Sequence, residues 1–136
     1  MLELSESSRL IAGIVLLTIV TIEFGGTFLL RIVGGKVSMT DFQKSFARAG
    51  HAHAGVLVTL GLVCLVLADA ADLSGFAGWI ARAGVPYAAI FMSAGFFLSS
   101  MGKERTSPNG FIVLLWLGAA GLAAGTLTLG VGLLTT

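Results

Sequence analysis

Three ionisable side chains stand where chemistry could be built. Glu23 lies inside a run of almost wholly apolar residues, and His51 and His53 open the next such run. A carboxylate at bilayer depth costs about 2.5–3.5 kcal/mol on insertion scales, so it rarely faces lipid alone and usually has a partner. Glu23 precedes Arg31 by eight residues, which sets the carboxyl about 12 Å inside the end of a helix. His53 follows Arg48 by five residues, about 7–8 Å from the same boundary. Antiparallel neighbouring helices would bring these groups to one depth, and the expectation is a polar intramembrane cluster of Glu23, His51 and His53.

Such a cluster admits proton or cation handling, metal binding or haem ligation. On an α-helix a spacing of two turns the histidines about 200° apart, so they address different neighbours. Extended over 50–53, both could converge on a metal. A closed zinc site wants four ligands, however, and only Glu23 or a neighbouring chain could add to the two imidazoles. The chain holds two histidines, which excludes a bis-histidine haem within one protomer and leaves a His–Met pair or a haem shared between subunits. The leading expectation is a structural or interfacial role for the histidines, with no cofactor; a metal ion or haem is the alternative.

The elements that must position these residues are membrane helices. Hydrophobic residues make up 56% of the 136 and charged residues 11%, and the mean hydropathy is +0.97, outside the range of an ordinary soluble domain. A span needs about 20 residues, and four runs approach or exceed that length: 10–33, 50–68, 85–101 and 111–134. The third is short and can borrow from 75–84 or sit in a locally thinned bilayer. Strand-period alternation is absent, and backbone satisfaction in lipid then requires helices. The predicted fold is an all-α membrane protein, a single four-helix transmembrane domain over 1–136. Residues 1–9 and the 24 apolar residues behind them carry no clear cleavage site, so the first helix is expected to be retained.

Six of the eight Lys and Arg flank the first and third connections: Arg31, Lys36, Lys44, Arg48, Lys103 and Arg105. The positive-inside rule puts those connections in the cytoplasm and both termini outside. In the first connection Met39, Phe42, Phe46 and Ala49 recur at helical spacing, and Thr40 with Gln43 resembles a capping box. This predicts a short amphipathic helix on the cytoplasmic membrane surface, between the first two spans, drawn to lipid by Phe42, Phe46 and its basic residues. On the other side Ser74 is expected to cap an interfacial turn carrying Phe76, Trp79, Ile80 and Ala83, with Pro86 in the first turn of the third helix. Trp79 and Tyr87 fit an outer aromatic belt, and Trp116 anchors the start of the fourth helix.

Small residues supply the remaining pattern. Gly121 and Gly125 stand four apart, with Ala120 and Ala124 offset by one, giving a face on which another helix approaches closely. Gly25 and Gly26 follow Glu23 at once and leave room for a neighbour beside the carboxyl. Cys64, the single cysteine, reads as a packing residue. No nucleophile–base pair, phosphate loop or nucleic-acid patch argues for an enzyme or a nucleic-acid partner.

The Gly50-His51-Ala52-His53-Ala54-Gly55 opening and the Glu23-Phe24-Gly25-Gly26 segment, set in four apolar helices, resemble small four-helix membrane proteins of high-GC actinobacteria that have no assigned activity. The resemblance implies a bacterial plasma-membrane homo-oligomer, with a trimer among the expected forms. The Gly-His-x-His opening is also distantly similar to helices of haem-copper oxidase-like proteins, but the further histidines those sites require are missing. Taken together, the expected function is an accessory or scaffold protein of the cell envelope, self-associating and in contact with membrane lipids and an envelope complex. A small proton or cation channel using Glu23, His51 and His53 is the alternative from another class, and a metal or haem carrier a third.

Overall fold

The computed structural model describes residues 3–135, so residues 1, 2 and 136 of the expected domain lie outside the described part. Four helices follow in order: α1 (Glu6–Val33), α2 (Asp41–Ala70), α3 (Gly75–Ser99) and α4 (Ile112–Thr135). All four are long and apolar enough to cross a membrane, so the chain has the build of a multi-pass membrane protein.

The helix ends follow local chemistry. Ser5 caps α1 by accepting from the Ser8 N–H. At the other end Gly35, with φ of +72°, supports paired closing bonds: the Gly35 N–H donates to the Ile32 carbonyl and the Lys36 N–H to the Arg31 carbonyl. A left-handed residue at this position closes a helix without a Cβ penalty when it is glycine. Thr40 and Gln43 form the expected capping box at the start of α2. Gln43 also reaches across the bundle end, donating to the carbonyls of Ser100 at 3.0 Å and Gly102 at 2.8 Å.

Two boundaries differ from the sequence expectation. The stretch 41–49 is helical, but it is the opening of α2 rather than a separate interfacial helix. Gly50 looks like a break and acts as a packing residue: a Cβ there would meet the Phe97 ring at 2.9 Å. The Phe42 and Phe46 rings lie tilted against each other with centres 4.2 Å apart, and Phe46 meets Phe96 of α3 edge-on at 5.4 Å, so this apolar stripe is partly spent on α3. Likewise α3 begins at Gly75, not Val85, and Ser74 takes its N-cap position without a side-chain cap bond. Pro86 sits in the helix interior, where its ring lies over Gly61 of α2, 3.3 Å from where a Cβ would stand. Transmembrane helices tolerate such a proline because neighbours re-satisfy the freed backbone groups.

Packing is uneven. A shared core of Leu57, Val58, Cys64, Val85, Ala88 and Leu129 binds α2, α3 and α4, and Cys64 is a free, buried thiol within it. The α3–α4 seam is built on glycines. A Cβ on Gly84 would lie 2.7 Å from the Gly125 Cα and 2.8 Å from the Gly121 carbonyl oxygen. The Gly121–Gly125 face is therefore occupied by α3 of the same chain. By contrast α1 leans on α2 and barely meets α3; Leu17 and Phe24 are 75% and 76% exposed.

Candidate functional site

The histidines leave α2 in different directions, as their spacing requires. The ring of His51 lies over the paired glycines of α1, with Nδ1 3.6 Å from where a Gly25 Cβ would be and Cε1 3.5 Å from that of Gly26. The glycines thus admit an imidazole. His53 turns towards α3: its Nδ1 is 2.7 Å from the Ala49 carbonyl oxygen, and its ring lies 4.9 Å from the Phe96 ring. Glu23 is exposed on the flank of α1 and has no ion-pair partner among the described residues. Of the three side chains, His51 lines the cavity described next, and Glu23 and His53 do not. No three His, Cys, Asp or Glu side chains gather in metal-binding geometry among the described residues.

A cavity of about 560 Å³ separates α1 from α3 over the face of α2. It runs from Ile11 and Trp79 at one end to Gly25, His51 and Phe97 at the other, about 21 Å along α1 at the standard rise. Its lining is mostly apolar but includes Ser93, whose hydroxyl oxygen is buried and has no hydrogen-bond partner among the described residues. Orphaned buried hydroxyls are uncommon and call for an explanation. Ser93 is a lone serine in an apolar run, and nothing in its spacing singles it out.

At the opposite end of the bundle lies a second constellation, which no motif in the sequence singles out. Asp69 closes α2 and Arg82 stands two turns into α3, their side chains 4% and 13% exposed. Arg82 donates to Asp69 Oδ1 from Nη2 at 2.6 Å and from Nε at 2.9 Å. Its Nη1 donates to the carbonyls of Leu73 at 2.7 Å and Gly78 at 3.0 Å. The first residues of α1 join in: the Ser5 N–H donates to Asp69 Oδ2 at 2.9 Å, and Arg82 Nε lies 3.2 Å from the Ser8 hydroxyl. Every strong polar group of the cluster is engaged, so its chemistry is that of a clamp joining three helices. Phe76, Trp79 and Tyr87 form an exposed aromatic ladder beside it, with ring centres 6.1 Å apart at each step. Trp116, 67% exposed, stands near the start of α4 at the basic end.

Together these features describe a four-helix chain with the build of a multi-pass membrane protein, an interhelical cavity and a buried ionic clamp. No protein-family model matches the chain, and no curated protein or solved structure matches it significantly.

Proposed function

We propose that the chain is a plasma-membrane protein that self-associates through the flank of α1 and serves as an accessory or scaffold component of the cell envelope. The observation that carries this reading is Glu23, an exposed carboxyl inside a 28-residue apolar helix. Hydrocarbon offers it no hydrogen bond, whereas a second copy presents the same carboxyl and the nearby Thr27 hydroxyl at matching depth. A symmetric contact repeats every favourable bond, and small or polar residues are what join helices in lipid. Basic residues support placing the first and third connections in the cytoplasm. The other end carries two basic residues, Arg9 and Arg82, against six.

The test is subunit counting in lipid bilayers at low protein-to-lipid ratio, by single-molecule photobleaching. Wild type is expected as oligomers and Glu23→Leu as predominantly monomer. Interhelical hydrogen bonds contribute about 0.6–2 kcal/mol, so the dissociation constant should rise roughly three- to thirtyfold. Glu23→Gln, which keeps a donor and an acceptor, should retain association. A monomeric wild type, or a Glu23→Leu variant that associates unchanged, would sink the proposal.

A further inference from the structure

The cavity between α1 and α3 carries a second reading, independent of self-association because Glu23 does not line it. Its volume of about 560 Å³ falls within the 300–1,000 Å³ typical of small-molecule sites, which are apolar with a few placed polar groups. Its form is long and narrow, following α1 from Ile11 to Gly25, which suits a chain rather than a compact molecule. At its basic end the cavity is lined by His51 and by Ser93, whose hydroxyl oxygen is buried without a hydrogen-bond partner among the described residues. Neither ring nitrogen of His51 has a protein partner among the described residues, in contrast to His53 with its bond to Ala49. A hydroxyl and a neutral imidazole each offer one hydrogen to an acceptor.

We infer that this cavity binds a single-chain apolar molecule with a carbonyl head, the chain lying along α1 and α3 and the carbonyl oxygen accepting from Ser93 and His51. An ordinary hydrocarbon chain would fill the space and leave both donors unsatisfied. A carbonyl removes that penalty, which is about 1–3 kcal/mol for one buried polar group. Two sources share this chemistry, a prenylated quinone and a fatty acyl ester.

Trp79 lines the cavity and Trp116 does not, so a Trp116→Phe chain, the other of two tryptophans removed, reports occupancy by quenching. The experiment titrates the full-length protein in nanodiscs with a short-chain menaquinone, which quenches directly, and separately with a brominated fatty acyl ester. A brominated alkane serves as the carbonyl-free control. Saturable quenching is expected with at least one carbonyl probe, and the one saturating at lower mole fraction identifies the source. Ser93→Ala keeps the shape and removes no protein hydrogen bond, so it should fold normally and weaken that probe about three- to tenfold. Thr18→Phe, which fills the cavity, should abolish saturation. The inference is overturned if the alkane quenches as well as the carbonyl probes, or if Ser93→Ala leaves their binding unchanged.

Discussion

Asp69→Ala is expected to lower the stability of the folded protein by about 3 kcal/mol, near the lower end of the range for removing one partner of a buried ion pair. The loss arises because Arg82 stays behind with its charge. It keeps the Leu73 and Gly78 carbonyls as acceptors and a side-chain exposure of 13%, which holds the penalty below the upper end. The Ser5 N–H also loses its acceptor, so the start of α1 should loosen with it. Asp69→Asn preserves the shape and one acceptor and should fall between wild type and alanine. The double variant Asp69→Leu/Arg82→Leu removes both charges and should lose less than the two single changes added together. Cys64 provides the readout, since its thiol is buried in the core and becomes reactive to a fluorogenic maleimide only on unfolding. Equal midpoints for wild type and Asp69→Ala in a thermal scan would show that the clamp carries no stability.

The second large effect is expected at the α3–α4 seam. A Cβ on Gly95 would stand 2.5 Å from the backbone nitrogen of Leu115 and 2.8 Å from its Cα. Backbone cannot rotate aside as a side chain can, so Gly95→Ala must push the two helices apart. Overpacking of this kind costs about 1–3 kcal/mol. Gly84→Ala meets Gly125 and Gly121 on the same seam, and the two changes should be less than additive, because the first already opens the gap. Gly130 supplies the opposite sign. It lies in α4 with nothing within 4 Å of a Cβ, so Gly130→Ala should stabilise the helix by roughly 0.5–1 kcal/mol through propensity alone. Midpoints that move the same way for Gly95→Ala and Gly130→Ala would refute the packing account.

The four spans were legible because sustained apolar runs have no other use at this length. Their ends were harder. Residues 41–49 show the same amphipathic pattern whether the helix stands alone or continues, and in the structure it runs unbroken through Gly50, which packs beneath the Phe97 ring. Gly75, Gly78, Gly84 and Arg82 made the opening of α3 look like a loop, yet Gly84 serves the close approach of α4 and Arg82 serves Asp69. Pro86 misled for a similar reason: its usual place is the first turn, and Gly61 across the interface is what accommodates it inside the helix. The spacing of His51 and His53 correctly implied different neighbours, but which neighbours depends on helix order and rotation. The Asp69–Arg82 pair could have been suspected from one acid and one base facing each other across a tight turn between apolar runs. Ser93 could not, because its role depends on the space in front of it.

The shallow seat of α1 has a practical consequence. Its most apolar 18-residue window is only 6% buried within the protein, against 33% for that of α2 and 39% for that of α3. Most of its surface is thus left uncovered by the other three helices, with its first residues pinned by the ionic clamp. The choice of solubilising agent will govern the first helix far more than the other three. Short-chain detergents should strip it from its seat while the remaining trio stays assembled, and longer-chain amphiphiles or native patches should return it.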